Sequence, residues 1–277
     1  MRAFFKKFLP PNPNMEAPAV VPPPTPVEDL AQDVGFMDAR MSGWFNDTSG
    51  ELLEGFPVLA QDHVLDVGCG DGLCIHFCAN RGAEVSLVDI DADKVRGVQQ
   101  KLLQTPARAV HAQASDANPL PFAEAQFDKI ISTEVLEHVD DPAQFLRELV
   151  RVGKPGALYL LAVPHSTSEG IQKELAPSIH FEKPNHIRIF TPESFATLVQ
   201  ECGLSIERTT NYGFFSSIFW AFFWTCDHDL NAPRHPLLQS WEHTWKLMLQ
   251  MRDGPRIKKA LDALIPKSQV IIARKPT

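Results

Sequence analysis

The stretch Val64-Leu65-Asp66-Val67-Gly68-Cys69-Gly70-Asp71-Gly72 restricts the fold of this chain more than any other. An apolar run suited to a buried parallel strand meets a glycine turn. Leu73-Cys74-Ile75-His76-Phe77-Cys78-Ala79 can then open a helix. Strand, glycine elbow and helix make the ligand-holding edge of a doubly wound α/β sheet. Glycine lets the backbone turn sharply and lets a ligand lie against it without meeting a Cβ. The helix offers unpaired N–H groups to whatever is bound. The spacing is Gly-x-Gly-x-Gly, not the Gly-x-Gly-x-x-Gly of dinucleotide enzymes, and Asp66 sits inside the strand. A carboxylate there repels a pyrophosphate and favours a ligand with a positive or neutral head. The next strand, Glu84-Val85-Ser86-Leu87-Val88-Asp89, ends in an acid about 20 residues beyond the first glycine, where it can accept from ribose hydroxyls.

Two further segments follow in order. Ser115-Asp116-Ala117 leaves a third strand over residues 109–114, and Thr133-Glu134 ends a fourth that begins at Phe127. The set VLDVGCGDG, VDID, SDANPLPF and FDKIISTEVLEHV resembles the class I S-adenosylmethionine-dependent methyltransferases, in particular their type 11-like members. The likeness is close over residues 62–164, weaker beyond, and absent from the first forty. It implies a Rossmann-like, doubly wound, seven-stranded, mostly parallel sheet with an antiparallel last strand. It implies S-adenosyl-L-methionine as cofactor, held by Asp66, Gly68, Cys69, Gly70, Gly72, Asp89, Ile90, Ser115, Asp116, Ala117, Thr133 and Glu134. In the resembling family the aspartate corresponding to Asp116 meets the adenine amino group, and the next backbone N–H meets a ring nitrogen. The segment Glu134 to His138 lies beside the sulfonium and the acceptor.

A length of 277 residues allows one sizeable core and an elaboration. We divide the chain into an arm over 1–27 and a catalytic domain over 28–277. Within that domain, 60–164 bind the cofactor and 165–268 supply the acceptor side with an aromatic, helical insertion. A net charge of −8 argues against a surface devoted to nucleic acid. Residues 251–277 carry seven Lys/Arg against two Asp, so a basic helix over 256–265 is expected, its charges either solvated or facing an anionic surface. The five cysteines lack paired CxxC spacing, so reduced thiols and no metal site are expected, in a cytoplasmic protein. Residues 1–10 are basic and phenylalanine-rich, which suits either a frayed end or an amphipathic turn at a membrane surface. Residues 10–26 are too rich in proline for helix or central strand.

Residues 28–60 are expected to be partly helical and to cover the ligand, with Phe36, Trp44 and Phe45 as lid or packing aromatics. A long loop is expected over 166–189, carrying His180, Glu182, His186 and Arg188. Phe214, Phe215, Ile218, Phe219, Trp220, Phe222, Phe223 and Trp224 crowd one short segment. It suits a pocket-closing hairpin or helix, a peripheral membrane contact at the inner face, or a homodimer interface. Leu237, Trp241, Trp245 and Met248 form a stripe at helical spacing.

A sulfonium methyl is already electrophilic, so positioning an acceptor in line supplies much of the rate. An oxygen acceptor also benefits from a base, for which His186, His165, His138 and His180 are the candidates. The aromatic segment favours an oxygen on an apolar or lipid-linked acceptor such as a glycan. A quinone precursor or other small molecule is the alternative, and a non-catalytic cofactor-binding scaffold is the rival class. An NAD(P)-dependent oxidoreductase fits less well, because of Asp66 and the glycine spacing.

Overall fold

The computed structural model describes residues 33–226 and 232–277. The proline-rich arm and the terminal amphipathic turn therefore lie outside the described residues. Helix α1 (Val34–Met41) leads into three short antiparallel strands, β1 (Trp44–Asn46), β2 (Glu51–Leu53) and β3 (Phe56–Pro57). The helix meets the expectation of partly helical cover over 28–60, and the small sheet was not foreseen. Glycines at 43, 50 and 55, all at positive φ, turn the chain too often for a helix to continue. Trp44, Phe45, Leu52, Leu53 and Phe56 are buried, and Phe45 meets Phe77 at 6.0 Å between ring centroids.

The main sheet starts with β4 (His63–Val67), followed by α2 (Leu73–Asn80), β5 (Glu84–Asp89), α3 (Ala92–Leu102), β6 (Ala109–Ala114) and β7 (Phe127–Thr133). Next come α4 (Pro142–Val152), β8 (Gly153–Pro164), α5 (Ser166–Leu175), a 3₁₀ turn (Ser178–Phe181), α6 (Pro192–Glu201) and β9 (Ser205–Tyr212). The chain ends with α7 (Phe214–Thr225), α8 (Pro236–Gln250), α9 (Gly254–Leu264) and β10 (Ser268–Arg274). Strand order is β6-β5-β4-β7-β8-β10-β9. The first five pair in parallel, and β10 runs antiparallel to both β8 and β9. This is the expected doubly wound sheet.

Alternation along each strand divides the core in two, because successive side chains point to opposite faces. Val64, Val85, Leu87, Ile131, Leu158 and Leu160 share one face with the small sheet, α2 and α3. Leu65, Val67, Val88, Ile130, Tyr159 and Leu161 share the other with Phe145, Leu146 and Leu149 of α4 and Phe195 and Val199 of α6. Local signals set the helix starts. The Asp141 carboxylate accepts from Gln144 N at 2.8 Å ahead of Pro142, and Thr191 forms a capping box with Ser194 ahead of Pro192.

Two expectations about the far end change. Residues 166–175 form α5 rather than loop, because His165 Nδ1 accepts from Thr167 N at 3.1 Å and caps it. The stripe on α8 is rotated by about a residue: Leu238, Trp245 and Leu249 are buried, whereas Leu237 is exposed. The aromatic segment is a helix, with Phe215, Trp220, Phe223 and Trp224 buried against neighbouring elements. Among the described residues, no helix is long and apolar enough to cross a membrane. The basic helix is present as α9, but its Lys258 is buried in an ion pair with Asp38 of α1 and Asp262.

Candidate active site

The order of the sheet reverses at β4, which is flanked by β5 and β7, so a crevice opens at the carboxyl ends of these strands. The glycine elbow lies there. Gly68 N and Cys69 N both donate to Val88 O, at 2.8 and 3.1 Å, which ties the elbow to β5. Gly70 has φ +54°, and a Cβ built on it would meet nothing within 4 Å. That open space beside bare backbone is where a ligand can lie close. Gly72, at φ +80°, precedes α2, which has no side-chain cap.

Asp66 is 2 % exposed, in β4 two residues before the first glycine of the elbow. It accepts from Ile75 N in the first turn of α2, so it satisfies one of that helix's orphan donors from inside. Burial, then the charge of Asp89, push its carboxyl up to about 7. Its neighbour Cys69 is also buried, and burial pushes that thiol up. All five cysteines are free.

Asp89 closes β5 with both oxygens engaged. Oδ2 accepts from Gly70 N at 3.0 Å and Oδ1 from Asp91 N at 2.9 Å. One carboxylate thus fixes the elbow while keeping lone pairs for hydroxyl donors. Ile90, next along, is an apolar side chain left 72 % exposed at the rim, as a flat ring would require of a surface to lie on. Ser115 N donates to Asp89 O at 3.0 Å, which brings the third loop alongside. Ser115 Oγ accepts from Ala117 N, and Asp116 Oδ1 accepts from Asn118 N at 3.1 Å. Asp89→Ala should weaken S-adenosylmethionine roughly 10- to 100-fold in calorimetry, the value of hydrogen bonds to a charged acceptor, with the fold retained. Unchanged affinity would remove Asp89 from the site.

Thr133 ends β7, and Glu134 follows at φ +57°, an uncommon conformation for a side chain with a Cβ. Such outliers persist where the surroundings hold them. Here Glu134 N donates to Ala162 O at 2.8 Å, while the carboxylate pairs with Lys267 Nζ and accepts from Ser268 Oγ at 2.8 Å. Sequence reasoning missed Lys267. A lone lysine just before a strand carries no signal, and only the antiparallel return of β10 beside β8 brings it to Glu134.

The histidines divide. His165 caps α5, as described above. Half-buried His138 and buried His180 and His186 gather in one cluster, with ring centroids 4.9 Å apart for His138–His186 and 4.6 Å for His180–His186. His138 Nδ1 lies 3.0 Å from Asn185 O and 3.2 Å from Pro184 O, both acceptors, so that nitrogen carries the proton. His186 Nδ1 lies 2.8 Å from Glu169 Oε2. Burial, then the positive charge of Lys267, press His186 down to about 3. Burial, then His186, press His138 to about 4. Both rings are neutral near pH 7, which suits them to hold groups by hydrogen bonds more than to take protons. Glu169 was also missed, because it falls in the stretch read as loop.

The methyltransferase domain family matches residues 34–209. A ubiquinone biosynthesis O-methyltransferase of Thiobacillus denitrificans is 32 % identical over 165 residues, covering 55 % of this chain and 68 % of that protein. A norajmaline N-methyltransferase of Rauvolfia serpentina is 30 % identical over 136 residues, covering 48 % of this chain and 44 % of its own length. The chain thus spans less than half of that alkaloid relative. A solved S-adenosylmethionine-dependent methyltransferase of Mesorhizobium loti shares the fold with a TM-score of 0.56 at 15 % identity, covering 89 % of this chain and 100 % of that one. With the glycine elbow, the acid closing β5 and the family match all in place, the chain belongs to the S-adenosylmethionine-dependent methyltransferases.

Proposed function

We propose that this chain transfers a methyl group to an oxygen of an acceptor that is apolar or carries an apolar body, such as a lipid-linked glycan or a quinone precursor. When bound, S-adenosylmethionine would supply a methyl on a positively charged sulfur; transfer would break the sulfur–carbon bond, leave its electron pair on sulfur and form a carbon–oxygen bond, with the acceptor's hydroxyl proton released to water. The elbow, Asp89, Ile90 and the Ser115-Asp116-Ala117 loop hold the cofactor. The segment from Thr133 to His138 flanks the reacting end. Its Glu134 is fixed by Lys267 and Ser268. A carboxylate so held keeps its place while the acceptor enters, which favours positioning as the source of rate.

The observation that carries the apolar acceptor is the joining of α7 to the histidine cluster. The Trp224 ring packs against His180 at a tilt of 52°, centroids 5.1 Å apart, and its Nε1 donates to Gln172 Oε1 at 3.2 Å. The aromatic helix is therefore built into the wall that follows the carboxyl end of β8. Recognition of an apolar body needs an apolar lining, and α7 supplies aromatic side chains of that kind. The relative named for ubiquinone biosynthesis supports an oxygen acceptor on such a body. A nitrogen acceptor is the second reading, favoured by the alkaloid relative.

The test is incubation of the purified chain with methyl-labelled cofactor and separate lipid and aqueous cell extracts, followed by mass spectrometry. Label in a lipid-phase molecule is expected, as a methyl ether. A labelled amine would favour the second reading. Label confined to polar, water-phase molecules would sink the apolar acceptor. Cofactor binding with no labelled product from any extract would replace the enzyme with a scaffold.

A further inference from the structure

We infer that Glu169, His180 and His186 form a binding site for one divalent transition-metal ion of the zinc type. The three residues come from three separate segments: α5, the 3₁₀ turn, and the chain that follows it. All three are buried, and one ligating atom from each lies within 4.8 Å of those of the other two. Two imidazoles and a carboxylate are a donor set suited to such an ion. A tetrahedral ion with bonds near 2.0–2.2 Å sets its donors roughly 3.5 Å apart, so closure asks for side-chain shifts of about 1 Å.

The surroundings support the same reading. A metal-binding carboxylate is normally held by outer partners. Glu169 Oε1 accepts from Gln172 Nε2 at 3.2 Å, and Gln172 Oε1 accepts from Trp224 Nε1 at 3.2 Å. That chain of bonds aims the carboxylate and leaves Oε2 toward His186. The local positive charge of Lys267 is matched by Glu134. Next to the cluster, Glu137 is 0 % exposed, and neither of its carboxylate oxygens has a hydrogen-bond partner among the described residues. His138 Nε2 lies 3.7 Å from its Oε1, on a ring that is neutral near pH 7. An unsatisfied buried carboxylate is costly, and a cation beside it removes that cost. Glu137, His138 and His186 form a second triad that shares His186 with the first. We assign the ion to the Glu169 triad because all its members are buried and its carboxylate is aimed from behind. The cysteines, whose spacing and places in turn and helix gave the expectation of no metal, take no part in this triad.

The inference is independent of the acceptor, since an ion here would fasten α5, the 3₁₀ turn and residues 182–190 together. The test uses the whole chain, stripped with a chelator and titrated with Zn²⁺ against a chromophoric competitor. Cofactor binding, measured in parallel, reports that the protein is folded. One ion per chain is expected, and Co²⁺ in its place should give the intense visible bands of a tetrahedral site. Glu169→Gln and His180→Asn should each weaken Zn²⁺ by at least about 100-fold, and Gln172→Ala by about 10-fold. The Co²⁺ spectrum of the unmutated chain decides even where a variant fails to fold. Absence of stoichiometric Zn²⁺, or affinity unmoved by Glu169→Gln and His180→Asn, overturns the proposal. Loss of the ion with Glu137→Gln but not with Glu169→Gln also overturns it, by moving the ion to the second triad.

Discussion

Gly70→Ala should leave the fold standing and lower cofactor affinity about 100-fold, close to 3 kcal/mol. Gly68→Ala, two residues away, should do the reverse and attack the fold first. The difference lies in what each new methyl meets. A Cβ on Gly70 enters open space in the crevice, where the ligand must come close to the backbone. A Cβ on Gly68 would lie 2.2 Å from Val135 Cγ2, at φ +76°. Val135 is β-branched and cannot swing aside freely. It also belongs to the turn that carries Glu134, Glu137 and His138, so the whole segment must shift. Overpacking and left-handed strain together suggest a loss of about 3 kcal/mol, or roughly 6–12 °C in Tm for a domain of this size. Thermal melts and calorimetry on the two variants separate the effects. If Gly70→Ala binds the cofactor as tightly as the parent chain, the crevice beside Gly70 is not the cofactor's place.

The elbow was legible in the sequence because its meaning is local. Glycine spacing, the acid at the end of β5 and the cap at Asp141 each act within a few residues. The same holds for the sheet, whose apolar runs alternate between two cores. Three things were not legible, for physical reasons. The small sheet of residues 44–57 depends on closely spaced glycine turns and on burial against α2, and its strands are too short to show a period. Helix α5 is capped by His165, a residue whose capping role composition does not announce. The partners Lys267 and Glu169 meet their sites only through the antiparallel return of β10 and the fold-back of residues 178–190. Long-range juxtaposition leaves no trace in neighbouring residues. The same limit applies to Asp66: its place inside a strand is visible in the sequence, but its burial and its bond from Ile75 N at the start of α2 are not.

Lys258→Met should cost about 3–5 kcal/mol of stability, the usual consequence of removing one partner from a buried ion cluster. Lys258 is 1 % exposed. Its Nζ donates to Ser42 Oγ at 2.7 Å and lies 3.3 Å from Asp38 Oδ1, with Asp262 as its second carboxylate. Each carboxylate does further structural work. Asp38 Oδ1 accepts from Trp245 Nε1 at 2.8 Å, joining α1 to α8. Asp262 Oδ1 accepts from Gly213 N at 3.0 Å and Phe214 N at 2.9 Å, and so caps the aromatic helix α7 from α9. One lysine therefore ties together α1, α7, α8 and α9. Burial pushes the Asp38 carboxyl up to about 6, with Lys258 opposing and Asp262 adding to the rise. A carboxyl raised on folding binds its proton more tightly in the native state, so its contribution to stability falls as pH climbs from the unfolded value through the folded one. Without Lys258 the folded value rises further, and the loss extends to higher pH. Urea unfolding of Lys258→Met should accordingly show a larger deficit at pH 8 than at pH 5. Adding Asp38→Asn should recover part of it at pH 8 by removing one uncompensated charge. An equal deficit at both pH values would mean that lost packing of the lysine stem, not the stranded carboxylates, weakens the variant.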